Sequence, residues 1–294
     1  MNNKVIYILI DGLAWQVARD SMGYLLALCE AGEASLYQLE SALPSLSRPL
    51  YETLLTGRTP VESGIRHNGV QRLSHGHSLF HLVSAAGGTT AAAAYHWISE
   101  LYNRSPWEAR RDRRTDDPGL PIQHGRFYFQ DHYPDDHLLL DADDLWRTWQ
   151  PDLLFIHPMN VDDAGHRAGL DSAEYRNSAR RFDIWLSEFL PDWLADGYHI
   201  LITSDHGMNN DKTHGGALPC EREVPLFVIG PQFSHDPQAA PRQVELAGTL
   251  ATLLGLDHDL PHCLSLLKPS TRQVSPAVES NLPASSAPDP EETC

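Results

Sequence analysis

Three apolar runs that lead into acidic residues constrain the fold of this chain more than any other sequence feature. Residues 4–10 (KVIYILI) are apolar and β-branched, and they stop at Asp11-Gly12. Residues 152–156 (DLLFI) and 199–203 (HILIT) repeat the pattern, and each soon leads to aspartate and histidine. Apolar runs without polar alternation are typical of strands that are buried on both faces of a sheet.

Helical periodicity alternates with these predicted strands along the chain. Strands that alternate with helices form a mainly parallel sheet with helices on both faces, so we expect an α/β fold of this kind. The other predicted elements continue the alternation: helices over 22–30, 51–55, 78–86, 173–194 and 243–254, and strands over 89–95 and 224–229.

Two segments depart from the alternation. Residues 97–140 are rich in arginine, proline, aspartate and aromatic residues, which favours a small inserted cap. Residues 269–294 contain five prolines and five serines but no aromatic residue, so we predict a disordered tail that cannot bury enough apolar surface to fold. We therefore expect a single domain over residues 1–268.

The charge balance excludes several classes of partner. The chain has 294 residues, with 22 basic and 39 acidic side chains and a net charge of −17, which opposes binding to nucleic acid polymers or anionic membranes. It has no apolar run of about 18 residues that would cross a membrane. The polar stretch before the first strand is too short for a secretory signal, so we expect a cytoplasmic protein. Its oligomeric state stays open.

The strand ends carry candidate metal ligands. The carboxyl ends of parallel strands meet at one edge of a sheet, so these side chains should gather there. Several carboxylates in one place repel each other unless cations neutralise them, and carboxylates mixed with imidazoles suit zinc, with manganese as an alternative. The candidates are Asp11 after the first run, Asp162 and His166 after the second, Asp205 and His206 after the third, and His214 in the following loop.

A serine-containing turn precedes the helix predicted over 51–55. Ser45 and Ser47 both lie at its start, where a serine often acts only as an N-cap. A hydroxyl in this position can also bind a divalent cation, lose its proton and attack phosphorus, while the helix N-terminus favours an anionic substrate. Local grounds alone do not separate the two serines.

The order and spacing of these motifs resemble the alkaline phosphatase superfamily, and most closely its type I phosphodiesterase/nucleotide pyrophosphatase family. The resemblance covers about residues 4–230, apart from the predicted cap. The motifs that carry it are Asp11-Gly12, Ser47-Arg48-Pro49, Leu55-Thr56-Gly57, Gly64-Ile65, Asn68, Asp162 with Gly165-His166, Ser204-Asp205-His206-Gly207-Met208 and His214-Gly215-Gly216.

The resemblance implies an alkaline-phosphatase-like core and an enzyme that hydrolyses small phosphodiesters or nucleotide anhydrides with two divalent cations, usually zinc. Ser47 would attack phosphorus and form a covalent phosphoserine. Asn68 would donate a hydrogen bond to a non-bridging phosphoryl oxygen. The resemblance assigns one cation to Asp11, Ser47, Asp205 and His206, and the other to Asp162, His166 and His214.

Departures from the family pattern keep other activities open. Ser47 replaces the threonine that is usual in the diesterase branch, while Leu50 and Ser63 replace an asparagine and a histidine. A phosphomonoesterase and a hydrolase of carbon–phosphorus bonds, similar to phosphonoacetate hydrolases, are therefore alternatives. A catalytically silent metal-binding module is the alternative from a different class, although the complete ligand set argues against it.

One basic cluster stands out in this acidic chain. Its members are Arg104, Arg110, Arg111, Arg113 and Arg114. Such a cluster can recognise a distal phosphate or carboxylate on a substrate. It can equally form a solvated surface that pairs with neighbouring carboxylates, which is common for charge runs of mixed sign.

Overall fold

A sheet of eight strands forms the centre of the computed structural model, which describes residue 1 and residues 3–269. The strands are β1 (Lys4–Leu9), β2 (Ala34–Glu40), β3 (Thr90–Tyr95), β4 (Arg114–Asp116), β5 (His124–Tyr128), β6 (Leu153–Ile156), β7 (Tyr198–Thr203) and β8 (Glu223–Ile229). Their order across the sheet is β2-β8-β7-β1-β6-β3-β5-β4.

The middle of the sheet is parallel and its margins are antiparallel. The five central strands, β7, β1, β6, β3 and β5, are parallel to one another. At one margin β8 pairs antiparallel with both β7 and β2, and at the other β4 pairs antiparallel with β5. This arrangement confirms the predicted α/β fold with a mainly parallel sheet.

The helices described by the structure lie around this sheet. They are α1 (Trp15–Ser21), α2 (Gly23–Glu30), α3 (Ser47–Thr56), α4 (Pro60–Ser63), α5 (Leu79–Ala85), α6 (His96–Tyr102), α7 (Ala109–Asp112), α8 (Asp135–Trp149), α9 (Asn160–Ala168), α10 (Ala173–Ala195), α11 (Pro219–Arg222) and α12 (Leu246–Leu254). Short 3-10 turns occupy Gln243–Glu245 and Leu264–Leu266.

Strand β1 is apolar from Val5 to Leu9 because helices cover both faces of the sheet at this position. Successive side chains of a strand point to opposite faces, so a strand that is covered on both sides has no polar position. Ile6 and Ile8 pack in a core with residues of α1, α2, α8 and α10. Val5 and Tyr7 pack in a second core with residues of α3, α5, α6 and α12. The two cores lie on the two faces of the sheet.

The segment predicted as a cap belongs partly to the sheet. Residues 97–140 contain most of α6, then α7, β4, β5 and the start of α8, and β5 extends the sheet beside β3. The pattern of β5 (HGRFY) hides this strand, because an arginine and a histidine interrupt a run of only five residues. Near the edge of a sheet such polar side chains reach solvent or carboxylate partners.

Strand β2 also escapes prediction from the sequence. It forms the opposite edge of the sheet and is only partly buried, so its apolar residues alternate imperfectly with polar ones. Among the described residues, no helix is both long enough and apolar enough to cross a membrane. The predicted tail at 269–294 lies outside the described residues, apart from residue 269.

Candidate metal centre

Three neighbouring strands deliver the candidate ligands to one edge of the sheet. Asp11 follows β1, and the pair Asp205-His206 follows β7. After β6 the chain enters α9, which carries Asp162 and His166 four residues apart and therefore on the same side of the helix. Because β7, β1 and β6 are adjacent and parallel, their ends place all these side chains together.

Gly12 makes this convergence possible. Its backbone is in the left-handed region with φ of 69°. A Cβ atom at this position would lie 2.6 Å from Asp162 Oδ1, so only glycine leaves room for that carboxylate. The Gly12 amide also donates a hydrogen bond to Asp205 Oδ1 at 3.1 Å. The turn after β1 therefore fixes two carboxylates from other parts of the chain.

We call Asp11, Asp205 and His206 the inner half of the site. All three side chains are completely buried. His206 Nε2 lies 3.4 Å from Asp11 Oδ1 and 3.3 Å from Asp205 Oδ2. Ser47 Oγ lies 3.0 Å from the same nitrogen. These donor atoms surround a space of the size that one cation fills.

We call Asp162, His166 and His214 the outer half of the site. Asp162 Oδ2 is 3.3 Å from His166 Nε2, and Asp162 Oδ1 is 3.8 Å from His214 Nε2. The two imidazole Nε2 atoms are 3.3 Å apart. The outer half is more open, because the His166 side chain is 43% exposed. Its ring neighbour His214 stacks on His206 and so joins the two halves.

The unpaired oxygens of the site fit divalent cations. Asp11 Oδ1, Asp162 Oδ1 and Asp205 Oδ2 are buried and accept no hydrogen bond among the described residues. A buried carboxylate oxygen without a partner is costly, whereas a bound cation satisfies it. Donor sets of carboxylate and imidazole are also those that zinc prefers. The residues present therefore fit the cations that the resemblance implies.

Electrostatics leads to the same conclusion. Burial, together with the charge of Asp162, raises the pKa of Asp11 well above its usual value. Burial and the charge of Asp11 do the same to the pKa of Asp205. Burial lowers the pKa of His206 to about 3, so its imidazole is neutral and ready to bind a metal. Two buried carboxylates that resist ionisation together need positive charge between them.

Backbone carbonyls orient all three imidazoles. The Nδ1 atoms of His166, His206 and His214 lie 2.9, 2.9 and 2.8 Å from the carbonyl oxygens of Lys212, Gly207 and Ser45 respectively. A hydrogen bond from Nδ1 leaves Nε2 as the unprotonated nitrogen that can bind a metal. All three rings therefore turn Nε2 towards the carboxylates.

Two further residues contact Asp11 and were not predicted from the sequence. The Tyr51 hydroxyl donates to Asp11 Oδ2. His157 Nε2 lies 3.2 Å from the same oxygen. Signals for both existed: Tyr51 lies one helical turn after Ser47, and His157 directly follows β6 at the edge where the ligands gather. Both hold the Asp11 carboxylate while Oδ1 faces the site.

The structure separates the two serines of the turn. Ser47 is the first residue of α3, and its hydroxyl points to His206. The Ser45 hydroxyl instead donates to the Gly216 carbonyl at 2.8 Å and supports the loop that carries His214. Asn68 lies beside the same helix start, because its Oδ1 accepts the backbone N–H of Arg48 at 3.1 Å. Its Nδ2 group remains as the donor end.

Solved structures share this fold at low sequence identity. The murine ectonucleotide pyrophosphatase/phosphodiesterase 5 superposes with a TM-score of 0.70 at 14% identity, over 90% of this chain and 100% of that one. The C-terminal periplasmic domain of EptC from Escherichia coli superposes with a TM-score of 0.62 at 14% identity, over 87% of this chain and 83% of that one. These likenesses establish the fold.

Curated relatives include large transferases. The human GPI ethanolamine phosphate transferase 2, catalytic subunit, is 23% identical over 284 residues, which is 91% of this chain and 28% of the relative. The GPI ethanolamine phosphate transferase 3 of Schizosaccharomyces pombe is 34% identical over 110 residues, which is 35% of this chain and 12% of the relative. The chain thus spans less than a third of the length of these two relatives.

The family itself follows from a longer match. The profile of the family described as type I phosphodiesterase / nucleotide pyrophosphatase matches residues 5–216, which include every candidate site residue. Members of this family are enzymes that act on phosphoester bonds, and they use divalent metal ions. With its alkaline-phosphatase-like sheet and this match over more than half of its length, the chain belongs to the type I phosphodiesterase/nucleotide pyrophosphatase family.

Proposed function

We propose that this protein is a divalent-cation-dependent phosphodiesterase or nucleotide pyrophosphatase that acts through a covalent phosphoserine on Ser47. One observation carries the proposal: Ser47 Oγ lies at the start of α3 and 3.0 Å from a buried imidazole that two aspartates flank. A hydroxyl beside unpaired carboxylate oxygens, at the positive end of a helix, suits attack on an anionic phosphoester.

The proposal divides the ligands between two cations, preferably zinc and alternatively manganese. Bound cations supply positive charge that lowers the pKa of the Ser47 hydroxyl and stabilises the charge on the phosphoryl and leaving oxygens. The inner half and Ser47 hold one cation, and the outer half holds the other. The shared stacking of His206 and His214 supports two sites that lie close together.

The chain's own residues then perform defined tasks. Ser47 Oγ loses its proton and forms a bond to phosphorus, while the bond from phosphorus to the leaving oxygen breaks. The free amide of Asn68 donates to a non-bridging phosphoryl oxygen, and the start of α3 presents backbone N–H groups to the same charge. Water then attacks phosphorus and restores the Ser47 hydroxyl.

Group transfer is a second candidate function. Relatives that are named ethanolamine phosphate transferases match 91% of this chain in one case, so an acceptor alcohol could replace water in the second step. Product analysis separates the two possibilities. A hydrolase releases the free acid whatever alcohol is present, whereas a transferase yields the new diester in proportion to the added acceptor.

Paired serine variants test the proposed nucleophile. We expect Ser47→Ala to lower kcat by at least about a thousandfold because the attacking oxygen is removed. Two cations per chain should remain bound, because Asp11, Asp205 and His206 still hold the inner one. Ser45→Ala is the matched control, and it should retain measurable turnover, since Ser45 supports a loop. The reverse pattern would assign the nucleophile to Ser45. If the wild type and both variants bind cations but none of them turns over substrate, the protein is a catalytically silent metal-binding module.

A substrate pair tests the diesterase assignment. The zinc-loaded and manganese-loaded proteins are compared on bis-p-nitrophenyl phosphate and p-nitrophenyl phosphate. A diester preference in kcat/KM of about a hundredfold, nearly 3 kcal/mol in transition-state binding, is expected. A monoester preference of that size would move the protein to the phosphomonoesterase alternative.

A cytoplasmic location and independence from membranes and nucleic acid remain predictions.

A further inference from the structure

A polar cavity that contains none of the candidate metal ligands lies between β4, β5 and the start of α8. It has a volume of about 370 Å³, which is enough for a small ligand. The side chains that matter for its chemistry are Arg113, Arg114, Arg126, Tyr128, Tyr133 and Asp141. Three arginines in one cavity are unusual in a chain with 22 basic and 39 acidic residues.

Two of these arginines lie opposite each other on neighbouring strands. In the antiparallel pair of β4 and β5, Arg114 lies directly opposite Arg126. Like charges in directly opposite positions destabilise a strand pair. An anion between the two guanidinium groups would offset the part of this repulsion that the nearby carboxylates leave in place.

The structure now divides the basic cluster of the sequence. Arg104 and Arg111 pair with carboxylates, at 3.0 Å from Asp117 and 2.7 Å from Asp112. Arg113 and Arg114 instead have no carboxylate within 4.0 Å in the described part of the chain, and both line the cavity. Arg104 and Arg111 therefore pair as the surface interpretation expects, whereas Arg110, Arg113 and Arg114 are exposed without a carboxylate partner among the described residues, and the last two line the cavity.

Arg126 is only weakly compensated. Its guanidinium lies 3.4 Å from Asp116 and 3.6 Å from Asp144, so two carboxylates partly offset its charge. Its Nε is buried and has no hydrogen-bond partner among the described residues. Asp141, the acidic residue of the cavity wall, accepts the Tyr133 hydroxyl at 2.9 Å. The cavity thus keeps a surplus of positive charge and free N–H donors.

Tyr128 links the wall of the cavity to the candidate metal centre through a chain of contacts. The Tyr128 ring lines the cavity and stacks on Tyr133, with centroids 5.0 Å apart. Its hydroxyl donates to the His157 carbonyl at 2.6 Å, and His157 contacts Asp11. Two side chains therefore connect the cavity with the inner half of the site.

We propose that this cavity is an anion subsite that binds a phosphate group of a small molecule between Arg113, Arg114 and Arg126. Planar guanidinium groups bind phosphate oxygens in a bidentate manner, and three of them suit a doubly charged group. The phosphate belongs either to a distal part of the substrate or to a separate small anion. Binding does not depend on the proposed function, and only the assignment to the substrate does.

Binding of inorganic phosphate tests the subsite. The zinc-loaded protein should bind two phosphates per chain, one at the cations and one in the cavity, as measured by equilibrium dialysis. Treatment with a chelator should remove the first and leave the second. The double variant Arg113→Ser/Arg114→Ser should lose the second, with affinity reduced at least about tenfold. Equal phosphate binding by this variant and by the control below would overturn the proposal.

The control is Arg110→Ser/Arg180→Ser, which removes the same charge from two exposed arginines outside the cavity. Thermal unfolding then separates a ligand role from a structural one. In phosphate-free buffer the Arg113→Ser/Arg114→Ser variant should unfold no earlier than wild type, because repulsion is relieved. Phosphate should raise the Tm of wild type and control but not of that variant. A lower Tm with unchanged phosphate binding would indicate a structural role only.

Kinetics identifies the source of the phosphate. Two p-nitrophenyl phosphodiesters are compared, one with a terminal phosphate on its other alcohol and one without. Preferential loss of kcat/KM for the first in the Arg113→Ser/Arg114→Ser variant assigns the subsite to the substrate. Unchanged kinetics with lost phosphate binding assigns it to a separate anion. If no diester is turned over at all, the proposed function fails while the binding result still decides the subsite.

Discussion

The inner and outer halves of the candidate site contain similar ligands in different surroundings. Asp11, Asp205 and His206 have no exposed surface, whereas the side chain of His166 in the outer half is 43% exposed. The inner ligands follow central strands and are fixed by the two cores. The outer ligands lie on α9 and on the loop after β7. The difference suggests a preformed inner cation position and an outer one that faces arriving substrate and water.

The largest expected effect comes from breaking the inner half. Asp205→Asn should lower kcat/KM by at least about a thousandfold and remove the inner cation, because a buried ligand charge is lost. Its effect on stability should depend on the metal. In chelator the variant should match or exceed the Tm of wild type, since the cost of a buried carboxylate and its repulsion with Asp11 are both removed.

With zinc, the same variant should lose most of the Tm rise that wild type shows. The metal content, measured by elemental analysis, should fall from two cations to one. Full metal content with normal activity would remove Asp205 from the ligand set. A lower Tm in chelator would mean that Asp205 stabilises the fold on its own, contrary to the penalty from burial and from the Asp11 charge that its raised pKa indicates.

A smaller effect is expected from breaking the outer half. His166→Ala should remove the outer cation and lower kcat/KM by about a hundredfold. The Tm in chelator should fall only modestly: the contact with Asp162 that raises the pKa of His166 to about 9 is lost, but solvent screens it because the side chain is half-exposed. His137→Ala on the exposed side of α8 is the control and should retain both cations. Equal losses in the His166 and Asp205 variants would abolish the distinction between the two halves.

The smallest predicted effect concerns the anchor of the outer half. Asp135 at the start of α8 accepts the backbone N–H of Asn160, the first residue of α9, at 3.4 Å. Burial raises the pKa of Asp135 to about 7. The folded protein then holds a proton that the unfolded chain releases near pH 4, so this residue makes stability decline as pH rises from about 4 to about 7.

Asp135→Asn should remove this decline. We expect the variant to gain about 1–3 kcal/mol over wild type at pH 8 and much less at pH 4, measured by urea unfolding in chelator. Asp136→Asn on the same turn is the control for charge removal at the helix start. A variant that is destabilised equally at both pH values would show that the carboxyl is needed for its hydrogen bonds rather than penalised for its charge.

The central sheet could be predicted because burial on both faces leaves a strong signal. The predicted strand at 199–203 corresponds to β7, and the predicted helix at 173–194 corresponds to α10. Strands β2, β4 and β5 could not be predicted, since edge positions tolerate polar residues and short lengths. The long helix α8 was hidden by its many aspartates, of which all but the buried Asp135 are at least partly exposed, while Leu138, Leu139 and Leu145 are buried.

The candidate ligands could be predicted from their positions after strands, and the structure brings all of them together. The contact of Tyr51 with Asp11 could not be assigned because it depends on how α3 packs against the sheet, whereas His157 contacts Asp11 from the end of the neighbouring strand β6. The sequence also did not show that Arg113 and Arg114 lack carboxylate partners among the described residues. The sequence places carboxylates near these arginines, whereas the structure shows that Asp117 pairs with Arg104, Asp112 with Arg111 and Asp116 with Arg126.

The position of β1 has a consequence for how the chain folds as it is made. This apolar strand is made long before its neighbours β6 and β7, which pair with it through Val5 opposite Leu153 and Ile6 opposite Ile200. At synthesis rates of about 5–20 residues per second, β1 waits on the order of ten seconds or more for a partner. The inner half of the site therefore cannot assemble until β7 and the residues after it have been made, and a chaperone that shields β1 should raise the yield of active protein.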